Sequence, residues 1–262
     1  MLSLSDIVNV KVGIGRGVFE APGATVIGGK KPSFNLEILK LFANNEQGFF
    51  YDPNDLSTMY QDAAGTVPVT AVGQPVGMIR DKSGCNNHAY QTTSASRPIL
   101  RKNAVTGANY LEFDGTDDFL QTAVSLPYPV TAIAPFDFKS NTLLKCVLSA
   151  GAAGYLRSTE TTASVHSTTG GGSIAKKKVD VLLHELTGDS VNIRSNSDAI
   201  TIRDSDNKNP YIALNKYIGS FSDTHTTLRA AMELYGMVVI RKLLSTSEEA
   251  ELRAHFNKRM GI

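Results

Sequence analysis

Leu111-Glu112-Phe113-Asp114-Gly115-Thr116-Asp117-Asp118-Phe119-Leu120 carries the signature of a β architecture. Leu111 and Phe113 share one face of an extended segment, because successive strand side chains point to opposite sides. Asp114-Gly115 supplies turn chemistry, with a glycine free to take positive φ. The short carboxylates of Asp117 and Asp118 suit acceptance of backbone amides in the turn. A hairpin joining strands at Tyr110–Phe113 and Phe119–Ala123 accounts for every residue. Further strands are predicted at Leu143–Leu148, Val179–Leu186, Val191–Ser195, Ala199–Ile202, Tyr211–Ala213 and Tyr235–Arg241. Asp52-Pro53-Asn54-Asp55, Ala64-Gly65, Gly73-Gln74-Pro75 and Lys82-Ser83-Gly84 punctuate the earlier chain at intervals suited to a β-sandwich.

The totals agree with that texture. The chain has 262 residues, of which 42% are hydrophobic and 19% charged, and its formal net charge is +1. A sandwich of this size forms one domain with an appended segment. The charge balance gives no overall field for nucleic acid or acidic lipid, so no nucleic-acid partner is expected. No apolar run is long enough to cross a bilayer and the start lacks a signal-peptide pattern, so no membrane insertion is expected either. Cys85 and Cys146 have no metal-type spacing. They read as two thiols in a reducing cytoplasm, and a disulfide between them stays open.

The two ends differ from the middle. Ile7-Val8-Asn9-Val10-Lys11-Val12 alternates as a strand, and glycines and prolines crowd the residues that follow, up to Pro32. Residues 1–34 therefore read as an extended arm for docking or assembly, or as a loose terminus. Asn35 to Phe42 is apolar-rich and compatible with a short helix. At the other end Ser245-Thr246-Ser247-Glu248 has the capping-box form. Leu252, Phe256 and Met260 follow as one apolar stripe and Gly261 stops it, which predicts a helix at about 246–260.

Three blocks resemble a known family. The first runs from Leu41 to Pro98 and contains Tyr51-Asp52-Pro53-Asn54-Asp55-Leu56-Ser57-Thr58, Gln61-Asp62-Ala63-Ala64-Gly65-Thr66, Gly73-Gln74-Pro75-Val76-Gly77 and Asp81-Lys82-Ser83-Gly84. It resembles the opening of phage and prophage tail-fibre-like proteins, with Phe50 where a tryptophan is usual. The second, Phe113-Asp114-Gly115-Thr116-Asp117-Asp118-Phe119-Leu120, is similar to a hairpin of concanavalin A-like, laminin-G-like sandwiches. The third, Tyr217-Ile218-Gly219 with Glu233–Ile240 and the terminal helix, resembles the same family's closing segment. The resemblance implies an all-β concanavalin A-like jelly-roll sandwich over 35–262, carried behind the N-terminal arm. It implies a structural component of a tailed-bacteriophage virion: a tail fibre, a collar or baseplate appendage, or a head decoration. The expected partners are other virion structural proteins and further copies of the chain, with a host surface glycan as the alternative, adhesin-type ligand.

The sharper chemistries fare worse. Glu112-x-Asp114-x-x-Asp117 mimics the acidic signature of jelly-roll glucanases, but Gly115 breaks the strand between the second and third acids, and paired carboxyls must face one another. Asp114-Gly115-Thr116-Asp117-Asp118 and Asp204-Ser205-Asp206-Asn207 are oxygen-rich without completing a calcium loop, since Ser125 falls where a closing glutamate belongs. Calcium is thus the one ion left open. Gly170-Gly171-Gly172-Ser173 before Lys176-Lys177-Lys178 lacks the spacing of a phosphate loop and reads as a flexible inter-strand connection. His88, His166, His184, His225 and His255 are scattered, and no Gly-x-Ser-x-Gly elbow is present. Tyr90, Tyr155, Asn192 and Tyr211 are residue types that sugars favour but define no site. The expectation is a non-enzyme with no catalytic, cofactor-binding or metal residue assignable.

Overall fold

The computed structural model describes residues 38–262 apart from 128, 140–144, 150–154, 159–160, 167–170, 176–178, 187–189, 197–198, 204–215 and 225–226. The chain divides into two units, Met1–Ser33 and Phe34–Ile262. The first unit, with the expected arm and its strand, lies outside the described residues, as does the strand expected at Tyr211–Ala213.

In chain order the strands are β1 (Gly48–Tyr51), β2 (Met59–Tyr60), β3 (Met78–Ile79), β4 (Ala89–Tyr90), β5 (Ile99–Lys102) and β6 (Asn109–Asp114). Then come β7 (Leu120–Thr122), β8 (Val130–Phe138), β9 (Lys145–Ser149), β10 (Tyr155–Ser158), β11 (Thr162–His166) and β12 (Gly171–Ala175). The last are β13 (Val179–Leu186), β14 (Ser190–Arg194), β15 (Ala199–Arg203), β16 (Lys216–Ile218), β17 (Ala231–Leu234) and β18 (Met237–Ile240), before helix α1 (Thr246–Met260). One sheet runs β15-β14-β13-β8-β17-β6-β5, with β18 pairing β8 and β1 pairing β18; the other runs β12-β11-β10-β9-β16-β7-β4-β3-β2. Pairing is antiparallel throughout the described strands. This is the expected all-β sandwich with one C-terminal helix.

The core follows from period-two alternation. Phe49 and Tyr51, Leu111 and Phe113, Ala132, Ala134, Phe136 and Phe138, and Met237 and Val239 point inward and meet Leu120, Val147, Leu148 and Ile218 of the second sheet. The residues between them, Phe50, Ile133, Val238 and Ile240, join Val181, Leu252, Phe256 and Met260 in a second core under α1. The first sheet is therefore buried on both faces near β1, β18 and β8. That explains why Gly48–Tyr51 and Met237–Ile240 are uninterrupted buried runs and not alternating ones.

Three expectations need correction. The quoted stretch is no hairpin: β6 pairs with β5 and β17 in the first sheet, whereas β7 pairs with β16 and β4 in the second. The loop between them carries the chain across the sandwich, because its carboxylates tie up the amides that a hairpin turn would leave for strand pairing. Residues 171–175 of the glycine-rich stretch are strand β12, paired along its length with β11. Finally β8, the nine-residue strand, lies where no strand was predicted. A proline is tolerated in a strand only where no ladder bond is needed. The Pro135 carbonyl accepts the amide of Tyr235 at 3.0 Å, on the side where β8 changes partner from β18 to β17. Pro135 nitrogen faces the same side, so the missing N–H falls at the junction between those strands.

The C-terminal helix forms as expected. Ser245 Oγ accepts the Glu248 amide, Glu248 carboxylate accepts the Ser245 amide, and Gly261 closes the helix at φ 80°. Leu252, Phe256 and Met260 are its buried residues, each contributing roughly 1.5–3 kcal/mol of apolar burial. Ion pairs then fasten it. Arg259 reaches Asp52 with Nη1 to Oδ1 at 2.7 Å and Nη2 to Oδ2 at 3.3 Å. Lys82 bridges Asp52 at 3.3 Å and Asp55 at 2.7 Å. Arg253 pairs with Glu249 and donates to the Val181 and Arg194 carbonyls.

Asp52 is 1% exposed. Burial alone would raise its pKa, but Arg259 and then Lys82 hold it below the usual carboxylate range. Removing the guanidinium would leave the buried charge with Lys82 as its one remaining ion-pair partner among the described residues. Arg259→Ala is expected to cost about 3–5 kcal/mol in urea unfolding at pH 7. A depressed carboxylate pKa means that this stability is present above the unfolded value and disappears as pH falls through the folded one. The gap between wild type and variant should therefore close on acidification below about pH 4.

Candidate functional site

Two groups of polar side chains stand out, one in the crossing loop and one on the outer face of the first sheet. In the loop, β6 ends at Asp114 and Gly115 takes φ 77°; a Cβ there would lie 2.8 Å from Ala231 Cβ and 2.9 Å from Ala231 nitrogen. Asp114 Oδ1 accepts the amides of Thr116 at 2.7 Å, Asp117 at 3.2 Å and Asp118 at 3.4 Å. Asp118 Oδ2 returns a bond to the Asp114 amide at 3.0 Å, and Asp117 Oδ2 accepts Ser96 Oγ at 2.7 Å. One oxygen of each carboxylate is thus already hydrogen-bonded within the protein, those of Asp114 and Asp118 to the loop's own amides and that of Asp117 to Ser96. Ligand atoms from the three lie within 4.8 Å of one another, a set able to hold a metal ion.

The electrostatics of this cluster are tense. Burial first, and then the charges of Asp114, Asp117 and Glu112, push the Asp118 carboxyl up to about 7 against the pull of the Asp114 amide. Arg229 lies close by, 3% exposed. Its guanidinium sits 4.3 Å from the Phe119 ring centroid and donates through Nη2 to the Asp223 carbonyl at 2.8 Å. Its Nε and Nη1 are buried and have no hydrogen-bond partner among the described residues. Burial lowers its pKa, while Asp117, Asp223, Asp114 and Asp118 favour its charge.

The second group is a cross-strand row. Glu112 of β6 stands opposite Glu233 of β17, and Glu233 stands opposite Asp137 of β8. By alternation all three point away from the sandwich core, on the same face as Ile133 and α1. Lys139 Nζ clasps Asp137 Oδ2 at 2.8 Å and Glu233 Oε1 at 2.9 Å, so those two oxygens lie less than twice that distance apart. Burial works against the Lys139 charge, but Asp137 and Glu233 outweigh it and raise its pKa. Tyr235 hydroxyl donates to Glu233 Oε2 at 3.0 Å and accepts Asn103 Nδ2 at 2.9 Å. Tyr110 packs beside Tyr235 with ring centroids 5.2 Å apart, and Arg101 Nε donates to Glu112 Oε2 at 2.6 Å. Asp137 Oδ1 is buried with no hydrogen-bond partner among the described residues.

The structure thus divides the glucanase-like triplet. Glu112 belongs to the row, and Asp114 and Asp117 belong to the loop. Asp204–Asn207, Lys176–Lys178, His225 and Tyr211 lie outside the described residues, as do the side chains of His166, His184 and Tyr155. Tyr90 is half-buried in the second sheet and Asn192 half-buried in the first, so they form no common site. His88 Nδ1 accepts the Asp81 amide at 3.1 Å. Burial, and then the Arg259 charge, push His255 down to about 3, which keeps it neutral. Cys85 and Cys146 are not joined, which leaves two reduced thiols. Sequence reasoning missed Asp137, Lys139, Glu233 and Tyr235. Their one signal is charged or tyrosine residues at i and i+2 on the outward face of otherwise apolar strands. Among the described residues no helix is long and apolar enough to cross a membrane.

Comparison with known proteins places the architecture. No family model and no curated sequence matches the chain. Among solved structures, an arabinofuranosidase complexed with arabinofuranosyl-α-1,2-xylobiose superposes with TM-score 0.60 at 12% identity, covering 85% of this chain and 65% of that one. Trypanosoma rangeli sialidase in complex with sialic acid gives 0.57 at 11% identity, over 83% of this chain and 33% of the sialidase. A GH54 α-L-arabinofuranosidase soaked with a cyclic sulfate inhibitor gives 0.54 at 12% identity, over 85% of this chain and 65% of that one. The chain therefore spans only about two thirds or less of these proteins, and at such identities the likeness is one of fold. It nevertheless corrects the expectation of a non-enzyme. That expectation rested on the lack of a legible catalytic motif, and this fold occurs within arabinofuranosidase and sialidase chains, which are enzymes.

The loop electrostatics can be tested directly. A folded pKa raised above the unfolded value means that stability falls as pH rises between the unfolded carboxylate value near 4 and about 7. Asp118→Asn keeps an acceptor for the Asp114 amide and removes the charge. It should melt higher than wild type at pH 8 and lose the advantage at pH 4, as read by thermal unfolding across pH.

Proposed function

We propose that the chain is a structural component of a tailed-bacteriophage particle, docked through residues 1–34 and displaying the sandwich of residues 35–262. The observation that carries this reading is the block from Leu41 to Pro98, whose wording resembles phage tail-fibre-like proteins. Its polar residues are consumed in the fold. Asp52 and Asp55 hold Lys82, and Asp52 also holds Arg259. Asp81 accepts the amides of Phe50, Ser83 and Asn87. Asp62 accepts the amides of Thr66 and Val67, and Tyr51 hydroxyl donates to the Asn87 carbonyl. The block is thus part of the folding framework, and an architectural role fits a motif that spends its charges internally. Contact between the displayed sandwich and host-envelope carbohydrate is the companion reading, favoured by a fold that occurs in arabinofuranosidase and sialidase chains.

Particles purified from an induced lysogen or an infected culture test the assignment. Quantitative mass spectrometry should find the chain in the banded particles at a fixed copy number relative to other structural proteins. Recovery only from the soluble lysate would overturn it. Light scattering adds the role of the arm: the full chain should be a homo-oligomer, and a chain starting at Phe34 should be a folded monomer.

A calcium ion is the second reading, and the loop cluster favours it. An all-oxygen donor set of three carboxylates suits a hard cation, and each carboxylate keeps an oxygen with no hydrogen bond among the described residues. The neighbouring Arg229 already supplies one positive charge, so weak binding is expected. Calcium should raise the melting temperature at pH 8, reversed by EDTA, and should do so much less at pH 5.5, where Asp118 is protonated. An equal melting temperature with calcium and with EDTA at pH 8 would remove this reading.

A further inference from the structure

Arg229 is a buried charge that the fold does not neutralise by contact. It is 3% exposed. Among the described residues its guanidinium makes one hydrogen bond, from Nη2 to the Asp223 carbonyl at 2.8 Å, and lies 4.3 Å from the Phe119 ring centroid. Nε and Nη1 are buried with no partner among the described residues. An arginine stays charged in a protein, and a buried charge without a paired counter-ion is destabilising.

A field, not a contact, favours that charge. Its sources are Asp117 first, then Asp223, Asp114 and Asp118. Three of these four acids form the oxygen cluster of the crossing loop. The placement agrees. Phe119, beside the guanidinium, directly follows Asp118 in the chain. Ala231, two residues after Arg229, abuts Gly115 in the middle of the loop. The cluster therefore has a counter-charge in its field while its spare oxygens stay open, on an exposed Asp114 and a half-buried Asp117.

The charges can then be counted. Three carboxylates against one guanidinium leave two negative charges unbalanced, the complement of a divalent cation. Without Arg229 all three would be unbalanced. Because Nε and Nη1 are shielded from solvent, Arg229 acts on a bound ion through space and not as a ligand. We infer that Arg229 sets the charge selectivity of the crossing-loop ion site: it repels each cation in proportion to its charge, which tunes the site to a divalent ion against a trivalent one. This role rests on the calcium reading above and deepens it.

The test titrates calcium, and terbium as a trivalent ion of similar size, into the full chain at pH 8, where Asp118 is ionised. Calorimetry reads calcium. Luminescence reads terbium, sensitised through Tyr217, whose ring lies 6.2 Å from that of Phe119. Arg229→Met removes the charge and keeps much of the volume. A fixed field acts on an ion in proportion to its charge, so a variant that gains about tenfold for calcium should gain about thirtyfold for terbium. Arg229→Gln should give the same ratio, and it carries the test if the methionine variant does not fold. Arg80→Met, which removes an exposed arginine beside Tyr60, should change neither affinity. Asp117→Asn should weaken both ions. Equal gains for the two ions, no gain or a loss at position 229 would overturn the role of Arg229 and leave the calcium reading in place. Unchanged binding in Asp117→Asn, or no calcium binding by the wild type, would overturn both.

Discussion

A carboxylate sealed from water keeps its charge only if cations are sealed in with it, and Asp52 imposes that condition on this fold. It lies just beyond the end of β1, near the beginning of the described chain, and its two cations come from elsewhere. Lys82 arrives from the loop after β3, and Arg259 arrives from the last turn of α1. Neither part can leave without exposing the others to the penalty of an unpaired buried charge. The pair also sets the position of α1 along the first sheet, which lets Leu252, Phe256 and Met260 cover Phe50, Ile133 and Val238. The double-faced burial of β1, β18 and β8 depends on that cover.

The crossing loop solves a different problem with the same residue type. Passing from one sheet to the other leaves backbone amides without ladder partners, and buried amides must be satisfied. Asp114, through one oxygen, takes the amides of Thr116, Asp117 and Asp118, and Asp118 takes that of Asp114. The solution concentrates three acids within a few ångströms and drives one of them towards protonation. An ion-binding set and a structural turn are here one object, so the loop can be sensitive to pH, and open to a cation, without having been shaped for either.

What could be read in advance follows from the range of the interactions concerned. The helix was legible because its cap, stripe and stop are local, and β13 because five of the eight residues from Val179 to Leu186 are valine or leucine. β8 was hidden, since the tolerance of Pro135 depends on a change of partner made by β17 and β18, far along the chain. The crossing loop was misread as a hairpin because Asp-Gly turn chemistry is the same whether the next strand returns to its own sheet or enters the other. The acid row was invisible for a stronger reason: its members meet through strand register alone, and register is a tertiary fact.

These ranges bear on where function should be sought. In the Leu41–Pro98 block the polar side chains described are matched to amides, carbonyls and counter-charges within the domain, so substitutions there act first on folding. A family resemblance carried by such residues transmits architecture faithfully and ligand choice poorly. The same sandwich occurs in chains as different in purpose as an arabinofuranosidase and a sialidase, which is the expected result when fold and site are written in different residues. Specificity then has to reside where charge and hydrogen bonding are left unmatched by the fold. On the described surface the spare oxygens of the crossing loop are one such place.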